Sequence, residues 1–350
     1  MLRMLASKWE VLLLVAILIV IVSGVGTPGF LTAPNLATAL AAAMPIAIMT
    51  LGMTLVIIAG DIDLSVASIL ALSACVFGWA LTTGMPLIPA MLLMLLVGAI
   101  CGAFNAVLVV LLGLPSLVVT LGTMTLFRGL GFALLADRPV STFPAEFLAF
   151  ANGRVEGFLI SWPFLLFLVL SVLFALLLQR GRVGRQIYAI GGNSLAADFS
   201  GVPTRRVRFS LFVVSGLMAA IAGLVLVSFL SSARAELARG LELDVIAIVL
   251  LGGVSIFGGV GRITGVALGL TLYILLTNWL SLQNVTADDQ QIVIGGLLIA
   301  AVIISNVLRA VGGRSDSRGA GLVGLRLSYR SEPTPPEAVS TASAPKKERQ

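Results

Sequence analysis

Two carboxylates and a serine, in the order Gly60-Asp61-Ile62-Asp63-Leu64-Ser65, stand between two long runs without a charge, residues 11–60 and 64–127. Acids in such a setting have three chemical uses. Asp63 could cap a helix beginning at Leu64 by accepting its free N–H groups, where the helix dipole favours a negative charge. The turn could be a membrane-edge site that contacts a partner or gates a path, and behind both stands a cation site. Carboxylate-driven ion transport needs acids or bases in mid-span, and the uncharged runs are followed by a lone arginine, Arg128, which could snorkel. The chain has no histidine, which removes imidazole-ligated metals and imidazole acid–base chemistry. Cys75 and Cys101 lie inside apolar runs and read as small buried hydrophobes. No metal site and no cofactor are expected.

The second set of residues is neutral. Asn105, Ser116, Thr120, Thr123 and Asn278, with Thr125 and Thr271, interrupt the apolar runs. Singly each suits a helix–helix hydrogen bond. As a set they suit a translocation path for a neutral polar solute rather than an ion.

The third set lies in the basic stretch 180–208. Gly184-Arg-Gln-Ile-Tyr-Ala-Ile-Gly-Gly-Asn193 is followed by Ala196-Ala-Asp-Phe-Ser-Gly201. A short interfacial helix fits here, with Ile187, Tyr188 and Ile190 as apolar contacts and Gly191-Gly192 as its end, and a second turn follows around Leu195–Phe199. That is the form of a docking element for a cytoplasmic protein; a loop that binds lipid headgroups is the alternative. No Gly-x4-Gly-Lys-Ser/Thr phosphate loop occurs, so ATP-driven work would need a separate ATPase chain.

These residues have to be positioned by membrane helices. Mean hydropathy is +1.10, 59% of residues are hydrophobic and 11% charged, against about a quarter charged in soluble chains. Crossing the hydrocarbon takes roughly 20 helical residues. The apolar runs give about ten spans, near 9–27, 36–59, 64–83, 87–112, 115–136, 159–179, 208–230, 243–259, 262–281 and 289–308, with 113–136 open to a re-entrant reading. A β-barrel would need short segments with a polar alternation, which the runs lack. The fold class is all-α, a polytopic membrane protein with both termini cytoplasmic, the first span acting as a retained signal anchor. Residues 1–310 form the transmembrane domain and 311–350 a disordered cytoplasmic tail. Small-residue ridges, Gly98–Gly102 and Gly261–Gly265–Gly269, mark close helix packing.

Arginine placement sets the orientation. Arg180, Arg182, Arg185, Arg205, Arg206 and Arg208 stand against Asp198 alone in the segment 180–208, and Arg262, Arg309, Arg314 and Arg318 fall on the same side. That side is the cytoplasm, and 137–158 and 231–242 face out. A net charge of +6 placed in short loops and a tail is a topology signal, so the partner is the lipid bilayer and not nucleic acid.

On these residues the chain resembles the permease subunits of bacterial ATP-binding-cassette importers for monosaccharides, the ribose, xylose, arabinose and galactose group. The likeness rests on residues 60–68, 114–129, 184–193 with Ala196, Ala197 and Gly201, and 249–261, within a similarity over about 10–310. Asp61 and Ala67 stand where that family usually has glycine, which points to a sub-branch. The rhamnose-type permease looks most alike, then the autoinducer-2 type. The resemblance implies a transporter subunit and not an enzyme, in the bacterial inner membrane. It also implies partners: ATPase subunits, a periplasmic sugar-binding protein, and a second permease subunit as homodimer or paralogous heterodimer. The segment 184–203 would be the coupling element. An ion-coupled sugar carrier is the second reading, and a membrane anchor without transport the third.

Overall fold

A computed structural model describes residues 2–136, 138–154 and 160–316. Among them the chain is helical, and the only extended pairings are the isolated bridges Val140–Ala233 and Arg154–Ser161. The helices are α1 (Leu2–Gly24), α2 (Ala33–Ile58), α3 (Val66–Thr82), α4 (Leu87–Ala106) and α5 (Ser116–Leu135), then α6 (Ala145–Asn152), α7 (Trp162–Gln179), α8 (Arg182–Gly192) and α9 (Ser194–Phe199). The last four are α10 (Thr204–Leu230), α11 (Leu241–Leu251), α12 (Ile263–Leu282) and α13 (Ala287–Asp316). A π-helical turn, Val107–Leu111, extends α4. Six helices among the described residues are long and apolar enough to cross a membrane, and the apolar parts of α1 and α3 are shorter. Residues from Val307 onward form a separate unit, of which the structure describes the end of α13.

α2 is the axis of the bundle. From Met44 to Ile58 every residue is buried, although a helix surrounded by lipid gains little from hiding apolar groups. Close backbone approach holds such a bundle instead, and α10 provides it. A methyl group on Gly98 of α4 would lie 2.5 Å from the Gly216 carbonyl oxygen of α10. One on Gly102 would overlap the Phe212 carbonyl, and one on Gly216 the Gly98 carbonyl. On another side of α10, Gly52 of α2 faces Ser215 and Met218. α1 packs on α12 through Leu13, Ile17, Val20, Leu272 and Leu276, and the Trp9 indole donates to the Leu251 carbonyl at 2.8 Å.

Some expectations change, and one open reading closes. The run 243–259 is not one crossing: α11 has 11 residues, about 16 Å at 1.5 Å per residue. Gly252-Gly253 ends it, and a tight turn follows in which the Ser255 N–H donates to the Val260 carbonyl. The stretch 113–136, expected as a span and left open to a re-entrant reading, holds the 20-residue helix Ser116–Leu135, long and apolar enough to cross. α13 continues to Asp316, past the boundary placed at 310; the tail expected to be disordered lies, from 317 on, outside the described residues, as does Arg318. Arg128 does not snorkel. Its Nη1 donates to the carbonyls of Ala235 and Leu237, each at 2.6 Å, tying α5 to the segment 231–240.

Overpacking a helix seam costs about 1–3 kcal/mol, and backbone carbonyls cannot rotate out of the way. Gly216→Val should therefore lower the melting temperature of the detergent-solubilised protein by several degrees and reduce its yield. Gly26→Ala, where nothing lies within 4 Å of the added group, should leave both unchanged. Equal melting of the two variants would mean that the α4–α10 seam tolerates separation.

Candidate functional site

α2 ends because Gly60 takes a left-handed conformation (φ +88), and the chain then crosses to α3 with its peptide groups exposed to no strand or helix of their own. Buried backbone must still be paired, and here side chains from other helices do it. The Ile62 N–H donates to Ser116 Oγ at 3.3 Å, and Thr120 Oγ1 donates to the Ile62 carbonyl at 3.2 Å and to that of Ser116 at 2.8 Å. Both come from α5.

The acids are tied more tightly. Asp61, itself buried, accepts from Nε and Nη2 of Arg208 at 2.8 Å each, a two-pronged pair with the first turns of α10. The fork geometry of guanidinium and carboxylate makes such bonds strong and directional. Asp63 has no exposed surface. Its Oδ1 accepts from the Ser65 N–H at 3.0 Å and the Ser65 hydroxyl at 2.6 Å, and its Oδ2 from the Ser215 hydroxyl of α10 at 2.8 Å. Asn105 Nδ2 of α4 donates to Ser65 Oγ at 2.7 Å. Burial pushes the Asp63 carboxyl above the usual carboxylate range, and the bonds from Ser65 and Ser215 oppose that rise. The helix expected to begin at Leu64 begins at Val66 with Ser65 at the capping position. Asp63 thus fixes the residue before the helix instead of capping its first turn.

Of the residues expected to line a path, Asn105, Ser116 and Thr120 meet at this turn. Thr123 is buried one turn on, with its hydroxyl 3.3 Å from the Thr120 carbonyl. Asn278 stands elsewhere, exchanging amide bonds with Asn35 at 2.8 and 3.2 Å. A cavity of about 520 Å³ opens beside the turn, lined by Asp61, Ser116, Thr204, Arg205 and Arg208 and by the π turn of α4.

α8 abuts the same place. Gly191 lies so close to the Ile58 carbonyl that no side chain would fit, and the Gly259 N–H donates to that carbonyl at 2.8 Å. Gly184 is equally close to the Leu178 carbonyl of α7. Ile187 and Ile190 are buried in the bundle. The Tyr188 hydroxyl donates to the Gly261 carbonyl at 2.7 Å, and burial raises its pKa while Arg262 lowers it. These three are therefore anchors of α8 to its own chain, a correction to their reading as contacts for a docking protein. Amphipathic spacing marked them as the apolar face, but the rest of the bundle already covers that face. Arg185 caps the carbonyls of Arg180 and Gly181. The Asn193 side chain accepts the Ala196 N–H at 2.9 Å to start α9, and Gly201 (φ +80) turns the chain into α10. Large apolar groups left uncovered here include Leu195 (68% exposed) and Phe199 (86%) on α9, and Ile256 and Phe257 (81%) on the loop whose Gly258 and Gly259 touch Gly191 and Gly192. The turn around Leu195–Phe199 belonged to the docking element read from the sequence, whereas Ile256 and Phe257 had not been singled out as contacts.

A family model described as "Branched-chain amino acid transport system / permease component" matches residues 35–302. The chain is 36% identical over 304 residues to the autoinducer 2 import system permease protein LsrD of Enterobacter sp. (strain 638), covering 85% of this chain and 92% of that one. It is 35% identical over 302 residues to the LsrD protein of Photorhabdus laumondii (84% and 90% covered). It is 37% identical over 297 residues to the probable ABC transporter permease protein YphD of Escherichia coli K12 (85% and 89%). No solved structure matches.

Removing one partner of a buried ion pair costs about 3–5 kcal/mol, and the 28% exposure of Arg208 places this pair toward the lower end. Asp61→Ala and Arg208→Ala should each destabilise the protein and cut transport, by similar amounts. The exchange Asp61→Arg with Arg208→Asp should recover part of the loss in melting temperature. Additive losses in a double-mutant cycle of the alanine variants would show that the two side chains do not act as a pair.

Proposed function

The chain belongs to the family of branched-chain amino acid transport system permease components, as a multi-pass permease of the ABC-transporter type, and on that premise we propose that it forms the path for an uncharged, hydroxyl-rich solute of the monosaccharide class. The observation that carries the reading is the junction where the α2–α3 turn, α4, α5, α8 and α10 meet. There a helix of the basic segment is fixed by backbone contact to the end of the central helix. Beside that contact stand exposed apolar groups suited to a cytoplasmic ATPase. Separate ATPase subunits, a periplasmic binding protein and a second permease chain complete the transporter, which sits in the bacterial inner membrane.

The cargo is the finer question. Relatives named as autoinducer 2 import permeases favour a cargo of that type over the rhamnose-type sugar that the sequence motifs first suggest. The neutral polar set Asn105, Ser116, Thr120 and Thr123 supports an uncharged solute in either case. An ion-coupled carrier finds less support, since the conspicuous acid–base pair, Asp61 with Arg208, neutralises itself.

The coupling face separates into anchors and contacts. Leu195→Ser with Phe199→Ser should leave the permease folded and in the membrane but abolish ATPase co-purification and solute-stimulated ATP hydrolysis. Ile187→Ser should instead lower the melting temperature of the permease itself, because Ile187 has no exposed surface. Both are measured on the complex reconstituted with its ATPase and binding protein, with autoinducer-2 and rhamnose compared as stimulants. Normal recruitment and hydrolysis in the Leu195/Phe199 variant would place the coupling contact elsewhere.

A further inference from the structure

Two features of the α2–α3 junction are left over once its role as a tie between helices is granted. The first is electrical. Asp61 is matched by Arg208, but Asp63, with no exposed surface, meets only neutral donors: the Ser65 amide and hydroxyl and the Ser215 hydroxyl. Among the described residues no arginine or lysine bonds it. The helix ends do not supply the missing charge, because the positive end of α3 and the negative end of α2 both face this turn. Moving a carboxylate into such surroundings costs several kcal/mol even after relaxation, and hydrogen bonds to neutral groups recover a part of it.

The second feature is an orphan acceptor. Asn105 is fully buried, its Nδ2 holds Ser65 Oγ at 2.7 Å, and its Oδ1 has no hydrogen-bond partner. Buried side-chain acceptors are nearly always paired, so an exception calls for a cause. The orphan belongs to the amide that is bonded, through Ser65, to the unmatched carboxylate.

One entity answers both. We propose that Asp63 and Asn105, with the hydroxyl oxygens of Ser65 and Ser215, bind a small monovalent cation, sodium in the first instance. One carboxylate with neutral oxygens balances a single positive charge, and a divalent ion would leave an excess. No group of three or more cysteine or acidic side chains able to hold a metal occurs among the described residues, which again disfavours divalent sites. Amide, hydroxyl and carboxylate oxygens are hard ligands that suit alkali ions rather than soft metals. The Ser65 and Ser215 hydroxyl oxygens crowd to 2.6 and 2.8 Å from the Asp63 carboxylate, which leaves little room and favours a small ion over potassium. The ion would lock α3, α4 and α10 together at the point from which the Asp61–Arg208 pair also reaches α10.

The test uses the purified full-length chain in detergent, melted at equal ionic strength in sodium, lithium, potassium or choline chloride. The wild type should gain a few degrees in sodium or lithium over choline, saturably with concentration, with potassium less effective. Asp63→Asn should lose the sodium response yet melt in choline no lower than the wild type, because the buried charge is gone. Asn105→Leu should also lose the response, and sodium-22 should be retained by the wild type and by neither variant. Identical melting in all four salts would overturn the proposal. So would a choline-insensitive stability that rises only as pH falls, which would show that a proton neutralises Asp63. A sodium response that persists in Asp63→Asn would place the ion elsewhere.

Discussion

Seven residues between α2 and α3 run without helix or strand, and most of their polar groups are turned into the bundle, away from solvent. Buried irregular backbone is tolerated where other parts of the protein satisfy it. The surrounding helices are arranged accordingly. α5 supplies Ser116 and Thr120 to the Ile62 peptide, α4 supplies Asn105, and α10 supplies Arg208 and Ser215. Each side chain has to arrive at one point from a different direction, which fixes the rotation of three helices about their own axes. Apolar packing alone would leave those rotations weakly specified, because lipid-facing and core-facing leucines are chemically alike.

The α8–α9 segment is seated on this junction by contacts of a different kind. Gly191 against the Ile58 carbonyl, and Gly258 and Gly259 against Gly191 and Gly192, bring main chain onto main chain. Such contacts have no rotamers to adjust. Ile187, Ile190 and the Tyr188 hydroxyl fasten the inner face of α8, while Leu195 and Phe199 remain on the outside of α9. The segment therefore carries two apolar faces with separate duties, one bound within the chain and one available to the ATPase in the proposed transporter.

Much of this was readable in the sequence. The uncharged runs, the glycine and proline boundaries and the absence of alternation gave an all-helical membrane chain, since composition and length suffice for that. The Gly98–Gly102 ridge was visible as spacing, and its partner on α10 was not, because Gly216 is brought opposite only by the fold. The span drawn over 243–259 failed because hydropathy cannot see that Gly252 and Gly253 end a helix inside an apolar run. Asn278 was grouped with Asn105 on chemistry alone, while in three dimensions it faces Asn35. Ile187 was assigned to a partner because an apolar face in a cytoplasmic helix has two possible owners, and sequence does not name which. The pairing of Asp61 was out of reach for the same reason: Arg208 is distant in the chain and adjacent in space.

The seam between α4 and α10 has a mechanical meaning. Where carbonyl oxygens and glycine Cα atoms touch, there is no layer of side chains to shear, so the two helices resist sliding as the flanges of one beam would. Bending has to be taken up where that beam stops. On α4 that place is the π turn Val107–Leu111, with its looser spacing of backbone bonds. On α10 it is Ser231, held in a left-handed conformation (φ 52) just beyond the last helical residue. The stiff seam thus covers Phe212 to Ala220 of α10, and compliance is left to the stretches and short joints beyond it.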